Sequence, residues 1–120
     1  MKVKVKKLHP EAVIPTYATS GAACFDLYAL DFEGENKTGT LVIKTGLAFE
    51  IPDGWQMLIF SRSGHGFKHD VRLANCVGVI DSDYRGEIKV KITLDRDGSF
   101  IVNQGDRIAQ AQLIPVHPAT

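Results

Sequence analysis

Short runs in which apolar residues alternate with polar ones, or stand together, recur along the whole chain: Val3 to Leu8, Ala23 to Leu30, Leu41 to Lys44, Leu47 to Ile51, Trp55 to Phe60, Val77 to Ile80, Glu87 to Leu94, Phe100 to Val102 and Arg107 to Val116. Each has the length of a β-strand, and they are closely spaced. The clearest is Glu87 to Leu94, in which every second residue is apolar, as a strand with one buried face requires. Between the runs stand Pro52-Asp53-Gly54, Asp95-Arg96-Asp97-Gly98 and Asn103-Gln104-Gly105-Asp106. These residues reverse a chain through local hydrogen bonds and positive φ angles, so most neighbouring strands are expected to be antiparallel. No window carries a helical stripe of a dozen residues, and only Gly64 to Asp70 predicts a helical turn. The pattern predicts an all-β sandwich or barrel.

Composition narrows the picture. A chain of 120 residues with 44% hydrophobic and 23% charged residues is sufficient for one globular domain, expected to span residues 1–120. The formal net charge is zero, so no broad attraction to nucleic acid or to an anionic membrane is expected, and an anionic ligand must be held locally. Lysine alternates with valine from Met1 to Leu8, which describes an edge strand protected by charge and not a signal peptide. The expected location is soluble and intracellular, in the cytoplasm, or in a host cell's cytoplasm if the source is viral. Cys24 and Cys76 each lie in an apolar segment, and two buried free thiols suit a reducing compartment better than a disulfide.

Three segments could carry chemistry. In Gly78-Val79-Ile80-Asp81-Ser82-Asp83-Tyr84-Arg85-Gly86-Glu87 an apolar strand runs into two carboxylates, an aromatic ring and a cation. Taken alone it reads as a hairpin loop; read chemically, a carboxylate fixed at a strand end can take a proton from an attacking water while Tyr84 packs on the ligand. Ser61-Arg62-Ser63-Gly64 offers a forked cation, hydroxyls and an unhindered backbone amide, a set suited to phosphate. In Gly105 to Gln110, Gln110 serves either as a bridge between strands or as a ligand contact. His65 and His69 have a zinc-like spacing, but Gly66 stands where a metalloprotease motif has Glu; loop histidines at the surface are the expected reading.

In this order the segments resemble the separated motifs of the trimeric dUTP pyrophosphatases. Ala23-Cys24-Phe25-Asp26-Leu27-Tyr28-Ala29 is similar to the first, Arg62-Ser63-Gly64 to the second, Gly78 through Gly86 to the third and Gly105 through Gln110 to the fourth. The resemblance extends from about Thr16 to Pro115. It implies a jelly-roll-like fold of the β-clip type, a homotrimer with active sites at subunit interfaces, and hydrolysis of dUTP to dUMP and pyrophosphate with Mg²⁺. Such an activity limits uracil incorporation into DNA and supplies dUMP for thymidylate synthesis.

By that resemblance Asp81 activates the water that attacks the α-phosphorus, and Tyr84 lies against the deoxyribose. Asn75, with the backbone around Gly78, Val79 and Ile80, contacts the uracil. Arg62, Ser63, Gly64 and Gln110 hold phosphate oxygens, and Asp26 engages Mg²⁺ through its water shell. Arg107 is expected to brace the carboxylates of the third motif. Cys24 stands where the family often has Gly, and Ser61 where Pro commonly precedes the arginine. The sequence reaches His117-Pro118-Ala119-Thr120 without the glycine-rich fifth motif. From this a more open site is expected, or one closed by another segment, with chemistry retained at reduced rate or affinity. The alternatives are a nucleotide-binding regulator with weak hydrolysis and a relative of dCTP deaminase, which uses a Glu base where this motif has Asp81.

Overall fold

The alternation expected from Glu87 to Leu94 is realised as a strand over Lys89–Leu94, with Val90 and Ile92 buried and Lys89 and Lys91 exposed. The computed structural model describes residues 1–37 and 39–120, with the side chains of residues 34–37 and 67 left aside. Among the described residues ten strands and one helix follow in order: β1 (Lys4–Lys7), β2 (Phe25–Tyr28), β3 (Asp31–Lys37), β4 (Thr40–Lys44), β5 (Leu47–Glu50), β6 (Trp55–Phe60), α1 (Ser63–His69), β7 (Val71–Leu73), β8 (Val77–Ile80), β9 (Lys89–Leu94) and β10 (Arg107–Pro115). They form a ribbon β1-β5 and two four-stranded sheets, β2-β10-β6-β8 and β3-β4-β9-β7. Every strand pair among the described residues is antiparallel.

The inward faces of the two sheets supply one apolar cluster. Leu27, Met57, Ile59 and Ile108 come from one sheet and Ile43, Val71, Val90 and Ile92 from the other, with Leu47 and Ile51 alongside. Burial of that cluster between facing sheets is the main stabilising term of a sandwich, the arrangement expected from the run pattern. Gly54, Gly98 and Gly105 in the three anticipated turns all have positive φ. No helix among the described residues is long and apolar enough to cross a membrane.

The strand pattern departs from expectation in three places. β3 begins Asp31-Phe32-Glu33, too polar to announce itself, and exists because β4 pairs with it. β7 has only three residues and is held by β9 through Val71, Arg72 and Leu73. Phe100 to Val102, expected as a strand, is irregular. There the Phe100 ring is occupied by two histidines of α1, with ring centroids 5.1 Å from His65 and 5.5 Å from His69. The two histidines are therefore on a helix and not in a surface loop, and His65 is partly buried.

The bend between β4 and β5 is fastened to the two residues that follow the third motif. Thr45, 1% exposed, donates its hydroxyl to Ile88 O at 2.7 Å, and the Gly46 amide donates to Glu87 Oε2 at 2.9 Å. Gly46 has φ +70°, and a Cβ there would stand 2.5 Å from Leu30 Cδ2 and 3.0 Å from Ala12 Cβ. Replacing Gly46 with Ala combines a left-handed backbone with overpacking and is expected to cost about 2–4 kcal/mol. Urea denaturation followed by Trp55 fluorescence measures it; an unchanged midpoint contradicts the assignment of this bend as a tight point of the fold.

Candidate active site

Register along three strands collects one half of the site. Asp26 on β2 is opposite Gln110 on β10, and Gln110 is in turn opposite Phe60, the last residue of β6. Cross-strand partners project to the same face, so Asp26 and Gln110 stand side by side there, next to the Ser61-Arg62 segment that leaves β6. Gln110 Nε2 donates to Ser61 O at 3.1 Å, so the residue bridges the end of the strand while its own carbonyl oxygen stays separate from that bond. Arg62 Nη1 donates to Arg107 O at 3.5 Å, and Arg107 Nη1 is 3.9 Å from Asp26 Oδ2. Within the chain Arg107 thus stands by the carboxylate of the first motif, since β10 carries it to β2.

Beside this row a cleft of about 260 Å³ is lined by Arg62, His65, Phe100, Val102, Asp106 and Arg107. Ser63 and Gly64 open α1 at its edge. A Cβ built on Gly64 meets no atom within 4 Å, so the space before its backbone is free for a ligand. Two guanidinium groups against one carboxylate give the cleft a local positive balance that the neutral chain as a whole lacks. An oxyanion is the ligand such a cleft favours.

The second half lies along β8. This strand has β6 as its partner and is the edge of its sheet among the described residues, which leaves a row of backbone donors and acceptors open on its far side. Gly78 is buried, and a Cβ there would be 3.3 Å from Ile59 Cβ and 3.8 Å from Asn75 Nδ2. Asn75, Gly78, Val79 and Ile80 line a cleft of about 210 Å³ with Ile59 and Leu73. The turn into the strand places Cys76 at φ 65°, with its amide donating to Leu73 O at 3.1 Å. Cys76 is exposed there, contrary to the expectation of a buried thiol; both cysteines are free.

Asp81 follows β8 directly, and the loop after it is held by its own residues. The Tyr84 amide donates to Asp81 O at 3.1 Å, Tyr84 Oη donates to Glu87 O at 2.9 Å, and Arg85 donates to Ser82 O and to Tyr84 O. Gly86 lets the ring fold back, since a Cβ there would come within 2.6 Å of Tyr84 Oη. The register of β6 with β8 pairs Phe60 with Val77 and Met57 with Ile80. Arg62 and Asp81 therefore lie beyond opposite ends of this pair, about 20 Å apart at the rise of an extended strand. The structure brings Asp26, Arg62, Ser63, Gly64 and Gln110 together, and separately Asn75, Gly78, Val79 and Ile80 along one cleft, with Asp81 and Tyr84 beyond the far end of β8.

Sequence reasoning missed the Arg107–Asp26 pair and the work of Ser61, whose hydroxyl accepts the Leu73 amide at 2.9 Å. Ser61→Ala leaves that amide without its partner and is expected to destabilise by about 1–2 kcal/mol, read from chemical denaturation. Burial, and then the charge of Asp26, push the Cys24 thiol above its ordinary pKa. A raised pKa means less thiolate at neutral pH, so iodoacetamide is expected to modify exposed Cys76 well before Cys24, with the Cys24 rate climbing on the alkaline side. Equal labelling of the two at neutral pH, read by peptide mass, contradicts this.

A sequence model of the dUTPase family matches residues 10–119. Deoxyuridine 5'-triphosphate nucleotidohydrolase of Nautilia profundicola is 48% identical, over 97% of this chain and 82% of the relative. The protein of the same name from Wolinella succinogenes is 44% identical, over 92% of this chain and 74% of its own length. Among solved structures, the dUTPase of Staphylococcus bacteriophage 80alpha superposes with a TM-score of 0.85 at 23% identity, covering 99% of this chain and 93% of that one. A D95N variant of the dUTPase from phage phi11 of S. aureus, described with a structural Mg(II) ion, superposes with a TM-score of 0.83 at 23% identity, covering 100% and 94%. The phage likenesses speak for the fold, while the family match and the bacterial relatives speak for descent; the chain belongs to the dUTPase family.

Proposed function

We propose that this chain hydrolyses dUTP to dUMP and pyrophosphate as a homotrimer, each active site combining the Arg62 end of one subunit with the Asp81 end of another. The observation that carries the proposal is the β6–β8 register. A nucleotide whose α-phosphorus is attacked at Asp81 needs its phosphates held close to that loop, yet within one chain Arg62 and the cationic cleft lie at the other end of the strand pair. A second subunit that docks its Arg62 end near Asp81 resolves this.

Each half supports a distinct part of the chemistry. Uracil presents an acceptor, a donor and an acceptor along one edge, the complement of the N–H and C=O groups on an open strand edge such as that of β8. Gly78 leaves the plane of the cleft clear, and Asn75 adds an amide that selects between donor and acceptor. Tyr84, 43% exposed, is free to pack on the sugar. Arg62, Ser63, Gly64 and Gln110 hold phosphate oxygens as preorganised donors, and the charge they offset is largest as the leaving pyrophosphate develops. Asp81 takes a proton from the attacking water, the new bond forms at the α-phosphorus, and the bond to the bridging oxygen breaks to release pyrophosphate.

The donor set fits magnesium of one kind only. Among the described residues no three His, Cys, Asp or Glu side chains are gathered as a cage. Asp26 offers a single carboxylate, 18% exposed, at the phosphate end. One carboxylate with phosphate oxygens and waters is how Mg²⁺ is ordinarily bound in nucleotide sites, and when bound it neutralises charge on the phosphate oxygens. Arg107 holds the Asp26 side chain in place for that contact.

Pyrophosphate release is expected from dUTP, with dTTP, dCTP and UTP far poorer substrates; ammonia from dCTP would overturn the reading. Asp81→Asn is expected to lower kcat by about 10²-fold or more while nucleotide still binds. Gly78→Ala is expected to raise KM for dUTP through crowding of the base cleft. Mixed assemblies of Arg62→Ala and Asp81→Asn chains are expected to regain activity that neither variant has alone. No recovery in verified mixed oligomers would refute the shared site and leave the dUTP specificity assay to stand separately.

A further inference from the structure

Resting on the phosphate assignment above, we infer that His65 is a proton-dependent ligand for the phosphate chain, neutral in the empty cleft and protonated as the anion enters. The imidazole stands in the same 260 Å³ cleft as Arg62 and Arg107, and its ring is set edge-on to Phe100 at 5.1 Å between centroids. Phe100 is itself packed by His69 from the next turn of α1, so the ring is confined by neighbours on two sides and kept at the cleft wall.

The charges around His65 decide its protonation. Arg62 faces it from the end of β6, His69 from α1, Asp106 from the preceding loop and Arg107 from the start of β10. Burial, then Arg62 and His69, hold its pKa below the ordinary value; Asp106 opposes them and Arg107 adds slightly to the depression. An imidazole so placed is neutral near pH 7 in the free protein. Phosphate oxygens entering the cleft reverse the sign of the local field, since their negative charge outweighs Asp106 and neutralises the guanidinium groups that disfavoured the imidazolium. The proton comes from solvent and adds one charge-assisted donor where the triphosphate is densest in charge. Linkage then requires nucleotide affinity to rise as pH falls through the window between the depressed pKa of the free protein and the raised one of the complex.

Calorimetry with the α,β-imido analogue of dUTP and Mg²⁺, in buffers of different ionisation enthalpy, counts the protons taken up. The analogue's own terminal phosphate titrates in the same region and contributes equally to wild type and His65→Gln, so the difference between the two reports His65. Wild type is expected to take up more protons on binding than His65→Gln, and to lose about three- to tenfold more affinity between about pH 6 and about pH 8. Without any substitution, the His65 ring resonances are expected to titrate at higher pH in the complex than in the free protein. Identical proton uptake in the two proteins, or an unshifted His65 titration, overturns the inference. Absence of analogue binding by wild type at every pH overturns instead the dUTP reading on which it rests.

Discussion

The hydrogen-bond register of β6 is the constraint on which the rest of this structure depends. The strand sits between β10 and β8, and one face of its ladder fixes Gln110 opposite Phe60 while the other fixes Gly78 opposite Ile59. A slip of one residue on either side would turn Met57 and Ile59 out of the core and rotate Gln110 or Gly78 to the wrong face. Because Met57 and Ile59 are almost wholly buried, the apolar core enforces the register, and the register in turn sets where the ligand-facing groups stand. Core packing and site geometry are one constraint seen from two faces of the same strand.

The same strand separates functions that the chemistry needs together. Its C-terminal end delivers Ser61 and Arg62 to the positive cleft, and the antiparallel return along β8 delivers Asp81 to the far end. An antiparallel pair cannot do otherwise: residues that follow one strand and residues that follow its partner leave from opposite ends. In the homotrimer proposed above, a neighbouring copy would supply the end that the chain itself directs away. The exposed valines of β8, Val77 and Val79, lie on the strand that such a neighbour would approach.

Electrostatics at the phosphate end is a balance of near neighbours. Asp26 is clamped by Arg107, Arg62 leans on the Arg107 carbonyl, and Asp106 offsets part of their charge at the cleft mouth. A neutral chain can thus favour an anion locally by clustering a few cations, with Phe100 and Val102 as the apolar part of the cleft's lining.

By itself the sequence determined the all-β class, most strands, the three glycine turns and the four motif segments, because alternation, turn chemistry and motif spacing are local properties of the chain. Glu87 to Leu94 and Trp55 to Phe60 are legible as strands without any neighbour. Tertiary structure alone decided β3 and β7, whose own residues are too polar or too few, and it decided against a strand at Phe100, whose ring found histidines on α1 instead. It also gave Arg107 to Asp26, exposed Cys76 on a left-handed turn and placed His65 in the positive cleft. Apart from the local turn at Cys76 and the pairing of β3 with β4, these depend on contacts between residues tens of positions apart. Such contacts are set by strand order and register, which no local pattern encodes.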